Sequence, residues 1–260
     1  NANVYVDKVA PTCGTWSGGS TNWTKNNRTI KVACSDNGSG CTASTYTVKT
    51  YKSGTTKTAS LSHDIKDNAG NTKTCNKTVN VYVDKVAPSK PNTLLYLWKK
   101  NNTEPTSSNG LTAYTENTWS KKKVYSEPSQ STDKGSGVDH YEYTTTGKTT
   151  NKTNQKASYR NIKANGTSKI KWRAVDKAGN ASAYSDKKTV KIDTQAPTAT
   201  ISGGTNTTAL DGTTSKKTTD TVTVKCKDPT GGSGIKVSSK NVSLNDKKGK
   251  NQTIYTLLHF

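Results

Sequence analysis

The sequence predicts an all-β chain, a series of β-sandwiches joined end to end in an elongated, beads-on-a-string array. Three observations lead there. A linking phrase recurs: Val-Asp-Lys-Val-Ala-Pro at Val6–Pro11 and again at Val83–Pro88, then Ile-Asp-Thr-Gln-Ala-Pro at Ile192–Pro197. Shorter phrases return between these in a fixed order. Gly-Ser-Gly stands at Gly38–Gly40, Gly135–Gly137 and Gly232–Gly234, and Asp-Asn-Ala-Gly-Asn at Asp67–Asn71 is answered by Asp-Lys-Ala-Gly-Asn at Asp176–Asn180. Finally, the sparse apolar residues alternate with polar ones, the period of a half-buried strand. Phrases in constant order mark repeats. Their spacing, 77 residues from Asp7 to Asp84 and 109 from Asp84 to Asp193, is that of whole domains. The expected divisions are the last strand of a preceding repeat (1–8), a first repeat (9–85), a longer second repeat (86–194) and an incomplete third (195–260).

The strands of the first repeat follow from alternation. Arg28–Cys34 puts Ile30, Val32 and Cys34 on one face, and Ser60–Asp67 does the same with Leu61, His63 and Ile65. In Asn76–Asp84, Val79, Val81 and Val83 alternate with Asn80 and Tyr82. Superposing the Ala-Gly-Asn turns carries the template to the second repeat. Ile170, Trp172 and Ala174 take the inward places there, and Val190 and Ile192 match Val81 and Val83. The extra material of that repeat lies around Leu94–Trp98 and Thr115–Val124, and Leu94, Tyr96 and Trp98 are expected to seal one side of its core. In the third repeat Val222, Val224 and Cys226 repeat Ile30, Val32 and Cys34. It shows no Ala-Gly-Asn turn and no closing phrase, so its last strands are expected to be missing and its edge open.

Composition sets the limits. Leu, Ile, Val and Phe together number 35 of 260 residues, a level that with high charge flags disorder. Period-2 patterning and the many Thr, Val and Tyr residues, which suit a pleated surface, argue for strands instead. Net charge is +21, and Arg occurs only at Arg28, Arg160 and Arg173. A Lys field attracts polyanions at long range but lacks the planar fork used to read bases, so no specific nucleic acid is expected. No apolar run approaches the roughly 18 residues of a membrane span.

Together, Val-Asp-Lys-Val-Ala-Pro, Trp23-Thr-Lys, Asp36-Asn-Gly-Ser-Gly and Asp67-Asn-Ala-Gly-Asn resemble the bacterial Ig-like domains found in tandem on surface proteins of Gram-positive and related gut bacteria. The resemblance covers essentially the whole chain and is weakest over the third repeat. It implies tandem Ig-like sandwiches, an extracellular cell-surface location, and a role as a stalk, fibre or adhesin scaffold. Such motifs mark a fold and say little about ligands.

Four of the five cysteines fall in the first repeat. With strands running alternately up and down, Cys13, Cys34, Cys41 and Cys75 gather at one pole, an even set that reads as two disulfides. The favoured pairing is Cys34–Cys41 around the Gly-Ser-Gly loop with Cys13–Cys75 tying first strand to last. Cys226 at the Cys34 position, with Ile235 where Cys41 would stand, favours Cys34–Cys75 instead. A four-thiolate zinc site is the rival chemistry, although no Cys-x-x-Cys occurs.

Each linking Asp should reach the pole of the repeat that follows, Asp7 near Asp36 and Asp67, and Asp84 near Asp133 and Asp176. Three oxygen donors there could hold Ca²⁺. The simpler reading has the loop Asp residues capping their own turns and the linking Asp pairing with a Lys. No cofactor is otherwise expected. Trp98 and Trp119 are candidate glycan contacts, against ordinary packing. His63, His140 and His259 fall in different repeats, and no hydrolase, zinc-protease or phosphate-loop motif occurs, so no enzymatic activity is expected. Alternatives to a spacer are a glycan- or polyanion-binding module, or a filament or virion building block completed by strand exchange at the open third repeat. Expected partners are the neighbouring repeats, anionic wall polymers or host glycans, and further copies of the chain.

Overall fold

The computed structural model describes residues 3–202, 223–229, 232–235, 239–245 and 251–257. Among them every regular element is a strand. Among the described residues no helix is long and apolar enough to cross a membrane. The chain is all-β, and two of its regions are each built of two sheets sharing a core.

In the first region β1 (Thr12–Ser17), β2 (Arg28–Ser35) and β3 (Thr45–Tyr51) form an antiparallel sheet in that order. A long hairpin of β4 (Thr55–Lys66) and β5 (Thr72–Asp84) supplies the second sheet. The strands form because Thr, Val and Tyr crowd them, and the turns form where Gly and Asn interrupt. Ile30 and Tyr51 of one sheet pack on Val81 and Val83 of the other, and Val32 packs on Ile65 and Cys75. Burying each of these aliphatic side chains stabilises the fold by roughly 1.5–3 kcal/mol. On the outer face hydroxyls pair instead, as Thr29 with Thr50 at 3.0 Å. Between the Thr56–Val83 and Thr58–Asn80 pairs, Val81 and Tyr82 of β5 together oppose Lys57 of β4, a bulge. Tyr82 sits in it with φ of 46°.

The second region is larger. β6 (Thr93–Leu97), β7 (Thr112–Ala113), β9 (Val124–Pro128) and β12 (Arg160–Ile162) form a sheet in the order β12-β9-β6-β7. β8 (Trp119–Ser120), β10 (Val138–Gly147), β11 (Lys152–Lys156), β13 (Gly166–Asp176) and β14 (Lys188–Ile192) form the other, ordered β11-β10-β13-β14-β8. Ile170, Trp172 and Ala174 of β13 are fully buried, as are Val190 and Ile192 of β14. The Trp172 indole N–H donates to Ser126 Oγ at 3.0 Å across the interior, so the largest buried ring carries no unsatisfied polar group.

One register differs from expectation. Leu95 and Leu97, not Leu94 and Tyr96, join this core. Leu94 and Tyr96 lie on the opposite face of β6, where Tyr96 packs on Tyr125 with ring centroids 6.3 Å apart.

Farther along, β15 (Thr198–Ser202) pairs with β16 (Thr223–Lys227), and β17 (Ser239–Asn245) with β18 (Asn251–Leu257). Val224 and Cys226 lie on β16 opposite Ile201 and Ala199. Val222 and His259 lie outside the described residues.

Candidate functional site

Among the described residues the linking Asp residues do not pair with Lys. Among the described residues no ion pair involves Asp7, Asp36, Asp67, Asp84, Asp133 or Asp176. Each linking Asp is instead seated on the Gly-Ser-Gly loop that follows it. Asp7 Oδ2 accepts the Ser39 N–H at 2.6 Å, Asp84 Oδ2 the Ser136 N–H at 2.6 Å, and Asp193 Oδ2 the Ser233 N–H at 2.7 Å. The other oxygen closes a short turn with the linking phrase itself, accepting from Val9, Val86 and Gln195 at 3.0–3.1 Å. A carboxylate bonded to backbone N–H groups is a strong, charge-assisted acceptor. We call this arrangement a latch.

The loop glycine explains how the carboxylate comes so close. A Cβ on Gly38 would lie 2.4 Å from Asp7 Oδ2, one on Gly135 2.2 Å from Asp84 Oδ2, and one on Gly232 2.5 Å from Asp228 Oδ2 and 2.9 Å from Asp193 Oδ2. These positions are glycine because a carboxylate occupies the space of a side chain.

Two further groups complete each of the first two latches. The loop Asp caps its own turn, with Asp36 accepting from Gly38 and Gly40, and Asp133 from Gly137 at 2.6 Å. The Ala-Gly-Asn turn closes from the other side. Asp67 accepts both the Asn71 N–H and its side-chain amide, at 2.8 and 2.7 Å, and Asp176 holds Asn180 in the same way at 2.8 Å each. Those amides then donate to the backbone carbonyls of the linking Asp, Asn71 to Asp7 at 3.2 Å and Asn180 to Asp84 at 2.9 Å. In the third latch Asp228 accepts from Gly234 at 2.6 Å.

Asp84 also reaches back to the first region, where Thr55 Oγ1 donates to its Oδ1 at 2.6 Å. One carboxylate thus binds both regions. Burial pushes the Asp84 carboxyl up, but the bonds from Thr55, Ser136 and Val86 outweigh it and hold the group below the usual carboxylate value. The Ser39 and Val9 N–H bonds lower Asp7, and the Ser233 N–H lowers Asp193 against a smaller opposing effect of burial.

Asp7, Asp36 and Asp67 offer oxygens all within 4.8 Å of one another, and so do Asp84, Asp133 and Asp176. Three hard oxygen donors with no Lys or Arg paired to them suit an oxygen-seeking divalent cation such as Ca²⁺. Asp67 in the first triad, and Asp84 and Asp176 in the second, are almost wholly buried, so the charges within each triad face one another with little screening. The three carboxylates of each triad would supply part of the roughly six to eight oxygens such an ion takes.

The four cysteines of the first region form Cys13–Cys75 and Cys34–Cys41, with Cα separations of 5.8 and 6.1 Å. Their thiolates are therefore not zinc ligands. Cys13–Cys75 joins β1 of one sheet to β5 of the other. Cys34–Cys41 staples the loop that holds Asp36, and Cys41 forms a β-bridge with Asp67. Both bonds lie at the latch end. They place the chain in an oxidising compartment.

Trp98 is not a surface platform. It is 2% exposed, and its indole N–H is bound to Asn161 Oδ1 at 3.0 Å. Trp119 is 39% exposed, with Lys191 Nζ 5.9 Å from its ring centre. Sequence reasoning placed the acids but missed Ser39, Ser136, Ser233, Asn71, Asn180 and the Asp193–Asp228 pair. The signal was present, because the Ser and Asn sit inside the recurring phrases. No protein-family model matches the chain, and no curated protein matches it either.

Proposed function

We propose that this chain is a spacer segment of an extracellular surface protein, a stalk, fibre or adhesin scaffold made of tandem Ig-like sandwiches. The observation that carries the reading is the latch. The same carboxylate, loop amide and glycine recur at Asp7, Asp84 and Asp193, each time in the linking phrase that leads into the strands it fastens. A catalytic centre has no reason to recur three times at such places; a mechanical coupling does. The Pro-containing phrase limits bending, the latch fixes the exit direction of the chain, and the disulfides resist unfolding of the core-poor first region. The two acid triads favour a second element of the same reading, a Ca²⁺ ion that neutralises each cluster and stiffens the joint.

Force spectroscopy on the whole chain tests this. Separate unfolding events are expected, and reduction should lengthen the first region's event. Cys13–Cys75 locks a loop of 62 residues, so reduction should release about 220 Å of extra contour. A chain that extends smoothly at low force, with no discrete events, would refute a mechanical role.

A further inference from the structure

Two lysine runs separated in sequence meet at one end of the second sandwich. Lys99–Lys100 follows β6, and Lys121–Lys123 leads into β9. Trp98 donates its backbone N–H to the Lys123 carbonyl at 2.9 Å, and the Asn101 amide donates to the Lys121 carbonyl at 2.8 Å. Lys123 donates its backbone N–H to Asn101 Oδ1 at 2.9 Å and its Nζ to the Asn101 carbonyl at 2.7 Å. The two runs are therefore fixed side by side on a rigid support. Buried Trp98 anchors that support, and the amide holding Trp98 also binds the Pro105 carbonyl at 3.0 Å.

Lys99, Lys100, Lys121 and Lys122 are exposed, and none is ion-paired among the described residues. The one acid of the 99–111 loop, Glu104, is held by Lys163 at 3.1 Å. At the adjoining turn Asp193 spends its carboxylate on Ser233 and Gln195. Concentrating like charges without counter-charges is costly in self-repulsion. The arrangement makes sense if anions arrive from outside.

Beside Lys99 and Lys100, which help to line it, lies an open groove of about 350 Å³ whose other lining residues are Pro105, Leu111, Thr103, Ser107 and Asn109. Its size is that of a small-ligand site. A lining that mixes apolar side chains with hydroxyl and amide groups suits a sugar ring, which has apolar C–H faces and a polar rim. No aromatic residue lines the groove, so the stacking surfaces used for single-stranded nucleic acid are missing. Lysines, as point charges, suit sulfate, phosphate or carboxylate groups spaced along a chain.

We propose that the Lys99–Lys100 and Lys121–Lys123 cluster with its groove binds a linear carbohydrate carrying repeated anionic groups. The site belongs to the insertion that lengthens the second sandwich. It is independent of the spacer reading, since a scaffold can carry it or lack it.

The test compares two quadruple variants of the full chain that lose equal charge. Lys99, Lys100, Lys121 and Lys122→Gln removes the cluster; Lys52, Lys66, Lys73 and Lys77→Gln removes exposed lysines of the first sandwich. Binding of a sulfated hexasaccharide, an unsulfated uronate hexasaccharide and a single-stranded oligothymidine is measured by calorimetry at two salt concentrations. The expected result is that the cluster variant weakens hexasaccharide binding by about tenfold or more and flattens its salt dependence, while the first-sandwich variant changes it by about twofold at most. The sulfated and uronate arms identify the anionic group. Asn109→Ala should weaken hexasaccharide binding without altering the salt slope, a readout that survives if the quadruple variant does not fold. Equal losses in both quadruple variants, no hexasaccharide binding, or oligothymidine binding equally tight and equally sensitive would each overturn the proposal.

Discussion

Replacing Gly135 by Ala tests the latch most directly. The added Cβ would lie 2.2 Å from Asp84 Oδ2 and 2.5 Å from its Cγ. Something must move, and the carboxylate is the group in the way. Gly135 is not among the residues with positive φ, so the substitution carries no left-handed backbone strain, and the cost comes from the collision. Expelling Asp84 orphans the N–H of Ser136, a residue only 5% exposed. Losing a charge-assisted bond and leaving a buried donor unpaired costs about 2–3 kcal/mol. Asp84→Ala should cost about 3 kcal/mol, because it also removes the partner of Thr55 and Val86. The decisive quantity is the coupling. In an Asp84→Ala background the collision is gone, so Gly135→Ala should then cost less than about 0.5 kcal/mol. Amide hydrogen exchange on the whole chain reads these energies region by region, with the Ser136 amide as the local reporter. If Gly135→Ala costs the same in both backgrounds, the glycine is required by its backbone and the latch argument fails.

Other predictions follow from the same site and from the disulfides. Calcium should raise the stability of both sandwiches by about 1.4 kcal/mol at ten times its Kd. Asp36→Asn and Asp133→Asn should abolish the effect each in its own sandwich; unchanged thermal unfolding on calcium titration would exclude the ion. Asp7, Asp84 and Asp193 have lowered carboxyl values, so their contribution is complete above the unfolded carboxylate value. It should be lost only as pH falls below about 4, and acid titration of amide exchange at Ser39, Ser136 and Ser233 measures it. By the loop-entropy relation, removing Cys13–Cys75, which spans 62 residues, should cost about 4 kcal/mol. Removing Cys34–Cys41, which spans 7, should cost about 2.5 kcal/mol. Denaturant midpoints in the reverse order would show that strain or denatured-state structure governs instead.

How far the sequence is legible depends on whether its apolar residues alternate. Ile170, Trp172 and Ala174 stand out against Lys171 and Arg173, so their inward facing can be read directly. Leu94-Leu95-Tyr96-Leu97-Trp98 is apolar at every position, and an unbroken run has a period but no phase. Nothing local says that Leu95 and Leu97 turn inward. Trp98 is buried, as ordinary packing requires, but the partner of its indole, Asn161, stands 63 residues away and nothing near Trp98 names it. At the latches the acids could be placed because repeat order carries Asp7 to the pole of Asp36 and Asp67. The role of Ser39 could not, because its bond to Asp7 is made by a backbone N–H, which every residue but proline carries and the sequence does not single out. The first glycine of each Gly-Ser-Gly invites a turn explanation. Its real duty at Gly38 and Gly135, to leave room for a carboxylate far upstream in the chain, emerges only in three dimensions.

The latch has a direction. In every case the acid that closes the loop lies on the N-terminal side of the loop it closes, Asp7 before Ser39, Asp84 before Ser136, Asp193 before Ser233. A ribosome therefore delivers the clasp before the part it fastens. When Gly135 and Ser136 emerge, Asp84 is already outside, held at the edge of a finished hairpin by Thr55. Nothing in the second sandwich must wait for residues beyond Asp193 to close the end facing its predecessor. Maturation can run strictly in the order of synthesis, one region after another, so little unpaired strand is exposed at any moment.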